Sequence, residues 1–495
     1  MIDAIRQALE EGDHERGLGL LRRHWLTLIL DSRTAELEQL CVAFPEPVDG
    51  NVLLIRACCR DLAGDQHGAE FLRGQGSRGA TSQFVACFAN LLLAPDSPTK
   101  SAIADEARIA LASCGPEDDY PSALFLLGWA EVRLRRNLPE AIALLRSASE
   151  ESRLHGRAET FRLAQANLAF ALAQSGAFTE AEHMLKGLAR PTEASDWDRF
   201  EGGLMESTRG SIAYWQGDFE TAVAVLDGHV AVGGTGTNFA AYAKMYLVLS
   251  LVALHRKSRF REAQQLLQGV SADDKHGVPW GTLRSVSMGI LAHAEGRDDI
   301  AKRVATPALM RSGAPVAHAL LAELFQRLGE PELAGQALQL VAATTAPRYA
   351  RVSTLVTSAC LSAMAGRGPR AHEFLDRALG AAAPEGVLAP FLSPEGPIGE
   401  LLAAHTLRGS PHDTFLRAIF AARDAHSQLV SDLLTHRERE ILTQLRTTLT
   451  AQEIANQLAI AYPTVKTHIR SIYRKLGVTT RRAALRAADE LAGLT

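Results

Sequence analysis

The chain has 495 residues, of which 47% are apolar, and its formal net charge is −4. A chain of this length holds two to four domains, and the apolar fraction excludes a generally disordered protein. Leu and Ala dominate while β-branched and aromatic residues are sparse, which favours helix over sheet. We therefore expect an all-α protein.

The cysteines and the apolar stretches argue against a secreted or membrane protein. No CxxC pair occurs, so the sequence predicts buried reduced thiols and neither a metal site nor a cofactor. The N-terminal residues are charged and have no apolar signal-peptide core. The most apolar stretch, from Phe239 to Leu254, contains Lys244 and is shorter than a membrane span. We expect a soluble, cytoplasmic, non-enzymatic protein. The six cysteines are Cys41, Cys58, Cys59, Cys87, Cys114 and Cys360.

A helical-hairpin pattern recurs through the first four-fifths of the chain. Each copy has an apolar helix, a short turn that often holds Gly, and a second helix with Ala five residues past the turn. Weaker copies surround Gly12 and Gly64. This spacing is typical of helical-repeat proteins. The turns of the six best copies lie 33 to 41 residues apart, at Gly176, Gly217, Ser258, Gly296, Gly329 and Gly366.

The residue types explain why such a segment folds back on itself. Gly permits the left-handed conformation that ends the first helix, and small residues let two antiparallel helices approach closely. A hairpin cannot bury its apolar face alone, so neighbouring hairpins must stack into a solenoid. The spacing resembles that of tetratricopeptide repeats, and we expect this solenoid to span residues 1–381.

The function of the solenoid is less specified by the sequence. Solenoids present concave surfaces that bind a peptide, a protein or a small molecule, and an inert scaffold is the alternative. Trp129, Trp197, Trp215 and Trp280 either line such a surface or, as is commoner at helical spacing, pack in the interior. Residues 382–398 are rich in Pro and Gly and predict a cap or linker. Helical stretches at Glu400–His405 and Thr414–Ala425 follow, so residues 382–430 form the cap and linker region.

The last 65 residues form a separate pattern of four short helices. Thr435 with Glu438, and Thr450 with Glu453, each predict a capping box at a helix start. A three-residue turn, Ala459–Ala461, precedes a third helix from about Tyr462 to Leu476, which ends at Gly477. A fourth helix is expected from about Arg481 to Leu491. Because Glu438 and Glu440 are explained by capping and by an ion pair with a neighbouring Arg, we do not interpret them as a catalytic carboxylate pair.

The third helix has an apolar face and a basic face. Val465, Ile469, Ile472 and Leu476 form the apolar stripe, while Lys466, Arg470 and Arg474 lie nearly opposite. From position 454 to position 488 there are seven Lys or Arg and no Asp or Glu. Residues 431–495 carry a balance of +4 and the rest of the chain −8. A surface of one sign around one helix is what a polyanion partner requires.

Residues 431–495 resemble the LuxR-type helix-turn-helix domain, with many matches in register. This resemblance implies that the third helix enters the major groove of double-stranded DNA. The matching residues are Leu434, Thr435, Arg437, Glu438, Glu440, Ile441, Leu442, Glu453, Ile454, Ala455, Leu458, Ile460, Thr464, Val465, Lys466, His468, Ile472, Lys475, Leu476, Gly477, Val478, Arg481 and Ala484.

The resemblance implies roles for particular side chains of the third helix. Lys466, Thr467 and Arg470 would face base edges, where Lys and Arg suit guanine. A second set would contact phosphates and fix the register without reading the sequence. His468, a member of that set, has an equal alternative as a core or helix–helix hydrogen bond. The phosphate set is Thr464, His468, Arg474 and Lys475.

Two positions depart from the family pattern. The family usually has a small turn with Gly before the second helix, where this chain has residues 446–449, Arg-Thr-Thr-Leu. The family also has Ser where Ala461 stands, and loss of that cap costs about 0.5–2 kcal/mol. Pro463 offsets part of this cost because Pro suits the first turn of a helix. Both departures concern the stability and docking angle of the third helix.

The combination of a solenoid with this terminal domain resembles the C-terminal half of the MalT-like large regulators, without their nucleotide-binding module. The sequence has no GxxxxGK[ST] motif, and the cluster Gly233–Thr237 has no Lys at its end. We interpret that cluster as an inter-repeat loop. The predicted function is sequence-specific transcriptional regulation, with a solenoid that senses an unknown effector or a protein partner such as RNA polymerase.

Two further readings remain open. One is an interaction scaffold whose terminal domain serves only for dimerisation, and the other is a nucleotide-dependent switch or other enzyme. The acid-free third helix argues against the first, and the missing phosphate loop argues against the second. The fourth helix has an apolar stripe of Ala484, Leu485, Ala488 and Leu491. Part of this stripe must pack on the third helix, and the family resemblance implies that the remainder forms a two-fold contact and hence a dimer on DNA.

Overall fold

The computed structural model describes residues 1–94, 97–114, 119–188, 196–230, 239–272, 278–431, 435–447, 449–458, 460–476, 478 and 480–485. These residues form helices and turns without a β-strand, which confirms the all-α class. None of the described helices is long and apolar enough to cross a bilayer. The Gly233–Thr237 cluster lies outside the described residues.

The helices follow one another with short turns. The first half of the chain holds α1 (Ile2–Glu10), α2 (His14–Leu30), α3 (Thr34–Val42), α4 (Gly50–Leu62), α5 (Gln66–Gly79), α6 (Gln83–Leu93), α7 (Ser97–Ala112), α8 (Tyr120–Leu134), α9 (Leu138–Leu154), α10 (Ala158–Ser175), α11 (Phe178–Gly187), α12 (Asp196–Glu201), α13 (Leu204–Trp215) and α14 (Phe219–Val230). The second half holds α15 (Phe239–Ala253), α16 (Phe260–Gln268), α17 (Trp280–Ala294), α18 (Asp298–Ala305), α19 (Pro315–Arg327), α20 (Pro331–Ala342), α21 (Arg348–Met364), α22 (Gly368–Ala382), α23 (Ile398–Thr406), α24 (Asp413–Ser431), α25 (His436–Gln444), α26 (Ala451–Gln457) and α27 (Tyr462–Lys475).

The chain packs into two compact units. The first unit comprises Met1–Arg209, His229–Tyr242 and Ser271–Gly281, and the second comprises Gly210–Gly228, Ala243–Val270 and Thr282–Thr495. Consecutive antiparallel helices pack against each other in both units. The pairs α4–α5, α8–α9 and α10–α11 form hairpins in the first unit, and α19–α20 and α21–α22 form hairpins in the second.

The predicted glycine turns adopt the left-handed conformation. Their φ angles lie between +70° and +89° at Gly176, Gly217, Gly296, Gly329 and Gly366, and Gly12 and Gly64 do the same. The turn predicted at Ser258 is placed differently, because the left-handed residue is His255 with φ +50°. Ser258 itself lies in a 3-10 helix over Lys257–Arg259.

The four tryptophans singled out from the sequence are packing residues. Trp129, Trp197, Trp215 and Trp280 are each at most 2% exposed. The Trp129 and Trp197 rings meet edge-on at 5.6 Å in the first unit. In the second unit, Trp215 packs on Tyr349 at 4.7 Å. The interior interpretation of these aromatic side chains is therefore confirmed.

The cysteines are free thiols, and five of the six are buried while Cys114 is half-buried. Burial raises the pKa of the Cys41 thiol to about 12. A thiol that stays protonated is a poor nucleophile and a poor metal ligand. The predicted role of these residues as reduced packing side chains is confirmed for the five buried cysteines.

The segment after α22 packs as a cap on the repeats of the second unit. The Leu388 N–H donates to the Trp215 carbonyl at 3.0 Å. From α24, Arg423 Nη1 donates to the Phe391 carbonyl at 2.6 Å. A side chain at Gly217 would collide with Leu392. The glycine at this position therefore permits both the left-handed turn and the close packing of the segment after α22. Helices α23 and α24 confirm the two predicted stretches and extend beyond both of them.

Candidate nucleic-acid interface

The first helix of the terminal domain, α25, begins at the predicted capping box. The Thr435 side chain accepts from the Glu438 N–H, and the Glu438 carboxylate accepts from the Thr435 N–H at 2.8 Å. Arg437 pairs with Glu440 at 2.6 Å. Both acidic side chains thus have the structural roles that the sequence predicts for them.

The second helix, α26, has its own capping box and a fixed C-terminal end. Thr450 and Glu453 exchange side-chain and backbone hydrogen bonds at its start. At its end, Arg437 Nη2 donates to the Leu458 carbonyl at 2.8 Å. An arginine from α25 therefore holds the end of α26, next to the turn that leads into α27.

The third helix, α27, packs its apolar face into a small core. Val465 and Ile472 are fully buried there, Leu476 is nearly so, and Ile469 packs against them. This confirms the apolar stripe predicted from the sequence. The core is completed by Ile441, Leu442, Leu445, Ile454, Ala455 and Ala484.

The predicted base-reading side chains lie on the outside of α27. Lys466, Thr467 and Arg470 are all exposed, and so is Thr464 of the set predicted to contact phosphates. Lys466 Nζ lies 4.9 Å from the centre of the Tyr462 ring, a cation–π contact. In the described part of the chain, no carboxylate lies within 4 Å of the cationic groups of Lys466 or Arg470. The exposed face of α27 therefore presents cations that the domain does not neutralise.

The predicted phosphate-contacting residues have different surroundings. His468 is half-buried and makes no hydrogen bond to the residues that the structure describes. The Arg474 side chain lies outside the described residues. Lys475 is engaged within the domain, since its Nζ donates to Glu438 Oε2 at 2.7 Å. Any phosphate contact by Lys475 must coexist with or replace this ion pair.

The start of α27 lacks a side-chain cap, as expected from Ala461. The Ala461 carbonyl accepts from the N–H groups of Thr464 and Val465 at 2.9 Å and 3.2 Å, so Ala461 occupies the capping position. Inside the helix, the Thr467 hydroxyl donates to the Pro463 carbonyl at 3.0 Å. No side chain of the described residues substitutes for the hydroxyl that Ser supplies in the family.

Arg481 is a structural residue whose role the sequence reasoning missed. Its guanidinium donates to the carbonyls of Leu445 at 3.0 Å, Leu449 at 2.6 Å and Thr447 at 2.6 Å. These carbonyls surround the loop that departs from the family pattern. A side chain at the start of the fourth helix thus fixes the glycine-free loop. The sequence could not reveal this role, because backbone carbonyls are present at every position and leave no pattern to recognise.

The start of the predicted fourth helix is helical over residues 481–485. Ala484 is fully buried against α27, and Leu485 packs on the same core. This part of the predicted stripe thus packs within the domain. Ala488 and Leu491, the other members of the stripe, lie outside the described residues.

This geometry defines a helix-turn-helix domain, in which α26 and α27 pack against each other and α27 presents a basic face. Residues 432–488 match the GerE family, described as "Bacterial regulatory proteins, luxR family". The terminal domain is therefore a LuxR-type helix-turn-helix domain, and the match supports a DNA-binding transcriptional regulator. The match covers this segment only, and the likeness of the repeats to MalT-like regulators stays a prediction.

Proposed function

We propose that the chain is a sequence-specific transcriptional regulator whose α27 reads double-stranded DNA and whose helical repeats bind an effector or a protein partner. The observation that carries the proposal is the exposed, unneutralised pair Lys466 and Arg470. These side chains are one turn apart, so both reach into one groove. Lys or Arg bonded to the O6 and N7 atoms of guanine is the commonest specific contact in the major groove.

Positioning on the duplex would come from the residues around that pair. Thr464, His468, Arg474 and Lys475 are proposed to contact phosphates, which fix the register of α27 without reading bases. Two domains bound as a pair would need half-sites about one helical turn apart. The apolar residues of the fourth helix that would form this pair include Ala488 and Leu491.

A cavity in the second unit supports the sensing role of the repeats. Its volume is about 370 Å³, and repeat and cap residues form most of its wall. His293 bridges two carboxylates there, with Nδ1 2.7 Å from Asp298 and Nε2 3.0 Å from Glu395. Val478 and Ala483 of the DNA-binding domain also line this cavity. A molecule held there would touch repeats and DNA-binding domain together, as an effector needs to do.

In the scaffold alternative, the terminal domain serves only for dimerisation, and its basic face would then have no function. A dimer contact buries apolar area, whereas Lys466 and Arg470 are exposed and unpaired within the described domain. We further propose a cytoplasmic location, a non-enzymatic role and recruitment of a partner such as RNA polymerase as the output. These follow from the regulator assignment.

Genomic footprinting of the intact protein tests the proposal. The wild-type chain should protect a small set of discrete sites in the genome. The double variant Lys466→Ala/Arg470→Ala should lose these sites, while Arg303→Ala, an exposed cation on α18, should keep them. Equal protection by wild type and double variant would show that α27 does not read the operator.

A further inference from the structure

One turn of the second unit has a histidine where the other predicted turns have glycine. Five of the six hairpin turns predicted from the sequence have Gly in the left-handed conformation, and the sixth has His255, with φ +50°. The His255 N–H donates to the Val252 carbonyl and the Arg256 N–H to the Leu251 carbonyl, each at 2.9 Å. Gly176 closes its turn with the same pair of hydrogen bonds. A left-handed residue with a side chain is uncommon, and such positions cluster at functional sites.

The imidazole of His255 lines the cavity of about 370 Å³ that was described above. Its ring nitrogens make no hydrogen bond to the residues that the structure describes, and neither nitrogen is enclosed by protein atoms. Burial lowers the pKa of His255 to about 4, so the ring is neutral at pH 7. A neutral imidazole has one donor and one acceptor. His255 therefore offers a ligand in this cavity one hydrogen bond of either direction.

Apolar side chains form another part of the cavity wall. Tyr214, Val252 and Ile290 line the cavity and are each half-buried, so they keep surface that a ligand can cover. The Tyr214 ring lies 5.5 Å from that of Phe219, a second aromatic residue of the wall. Apolar surface with a few polar groups is the usual composition of a small-molecule site, and the volume is in the usual range.

The charged side chains of the wall are paired with each other or with a neighbour. Asp298 and Glu395 share His293, and the hydrogen bond from Glu395 raises the pKa of that histidine. Lys257 is engaged within the chain as well. A charged ligand would lose its hydration without gaining a free counter-charge, which is unfavourable. The wall therefore suits an uncharged molecule. The remaining carboxylates of the described wall form the pairs Glu323–Arg327 and Glu295–Arg297.

We propose that this cavity binds an uncharged ring compound with a hydroxyl group, which hydrogen-bonds to His255 while the apolar body lies against Tyr214, Val252 and Ile290. A hydroxyl both donates and accepts, so it matches the imidazole in either tautomer. The inference names the ligand class of the site to which sensing was assigned, and its regulatory meaning rests on the proposed function.

Four naphthalene derivatives test the ligand class with the full chain, by calorimetry and ligand-observed NMR. They are 2-naphthylmethanol, 2-methylnaphthalene, 2-naphthoate and 2-naphthylmethylamine, which share the ring system and differ in the hydroxyl and the charge. We expect saturable binding of the alcohol. The hydrocarbon should bind about fivefold more weakly, because it leaves the imidazole without a partner. The anion and the cation should bind at least about tenfold more weakly than the alcohol.

Two glycine variants assign the preference for the hydroxyl to His255. His255→Gly supplies the usual residue of these turns, so it should keep a cooperative melting transition close to that of wild type. It should bind the alcohol and the hydrocarbon equally. Arg135→Gly replaces another left-handed residue, with φ +55°, in the first unit and should keep the wild-type preference.

Several results overturn the inference. These are no binding of the alcohol, equal binding of alcohol and hydrocarbon to wild type, tighter binding of the anion or the cation, or an unchanged preference in His255→Gly. Genomic footprinting separates this inference from the proposed function. Discrete sites that depend on Lys466 and Arg470, without alcohol binding, would reject the ligand class alone. Alcohol binding by a chain that protects no discrete sites would reject the regulator function and retain the site.

Discussion

Lys475 of α27 and Glu438 of α25 form an ion pair at 2.7 Å, in which the carboxylate is 4% exposed and the lysine 30%. The same carboxylate caps α25 through the Thr435 N–H. One buried carboxylate therefore joins the start of α25 to the end of α27. This relationship gives Lys475 a structural role beside the phosphate contact inferred from the family resemblance.

Lys475→Ala should destabilise the terminal domain as well as weaken DNA binding. Removal of the lysine leaves Glu438 buried with one fewer donor, which costs about 1–3 kcal/mol. Hydrogen exchange of the full chain should show faster exchange in α25 and α27 and unchanged exchange in the repeats. Arg482→Ala, an exposed neighbour, is the control. Weaker DNA binding with wild-type protection of both helices would leave Lys475 a phosphate contact alone.

The stability of the terminal domain should depend on pH through Glu438. Burial by itself raises the pKa of this carboxyl, but the hydrogen bonds from Lys475 and from the Thr435 N–H outweigh burial and lower the pKa to about 2. The unfolded value is about 4.3. Because the folded pKa is the lower one, the stabilisation is complete above about pH 5 and is lost as the pH falls towards 2.

Comparison of wild type with Glu438→Gln in the fragment 425–495 measures that contribution by circular dichroism. The difference in melting temperature should be constant from pH 7 to about pH 5 and should shrink below that. The other carboxylates titrate in both proteins and cancel in the difference. A difference that stays constant down to pH 3 would mean that Glu438 does not titrate with a lowered pKa.

Arg470→Ala should reduce affinity for the specific site by about 1–3 kcal/mol and relax the preference at one base pair. The reason is that Arg470 is exposed on α27 and unpaired in the described domain, so a contact with a base would break no internal contact. Affinities for the operator and for random DNA, measured at two salt concentrations, check this. If Arg470→Ala binds both DNAs equally more weakly, Arg470 contacts phosphate and does not read a base.

Ala461→Ser should stabilise the terminal domain by about 0.5–2 kcal/mol, since it restores an acceptor at the uncapped start of α27. Ala461 is exposed, so the hydroxyl fits without repacking. Ala461→Thr and Ala461→Val form an isosteric pair that separates the hydroxyl from the added bulk. Denaturant unfolding of the fragment 425–495 provides the measurement. Equal stabilities for the Thr and Val variants would exclude capping at this position.

The fragment 425–495, fused to a dimerising zipper, should bind the operator at least as tightly as the ligand-free full chain if the repeats restrain the DNA-binding domain. The body of the chain carries −8 and the terminal domain +4, and attraction between exposed charges falls with salt. Thr464, Lys466, Thr467 and Arg470 are exposed in the full chain, so a restraint would act by excluding the duplex. Equal affinities at low and high salt would leave recruitment as the task of the repeats.

The features that the sequence predicts correctly depend on residues that are close together in the chain. The capping boxes at Thr435 and Thr450 and the stripe on α27 depend on residues within one helix turn of each other, so spacing reveals them. The glycine turns follow for the same reason. The turn after α8 was not predicted, because Arg135 adopts the left-handed conformation there with φ +55° and no glycine marks it.

The sequence does not reveal contacts between segments that are distant in the chain. Nothing in the positions of Lys475 and Glu438, 37 residues apart, shows that they meet. Arg133 and Lys100 are buried, and nothing in their positions in the sequence distinguishes them from surface cations, since Lys and Arg are seldom buried. Their burial results from the packing of several helices around Trp129, which no single segment specifies.

Arg481 holds the loop before α26 through backbone carbonyl groups, and the hydrogen bonds come from a guanidinium that Lys cannot replace. Because every residue has a backbone carbonyl, Arg481 can hold the loop whatever side chains the loop carries. The loop therefore needs no glycine while this arginine is present. In this chain, the course of the glycine-free loop therefore depends on one side chain that lies more than thirty residues further along the sequence.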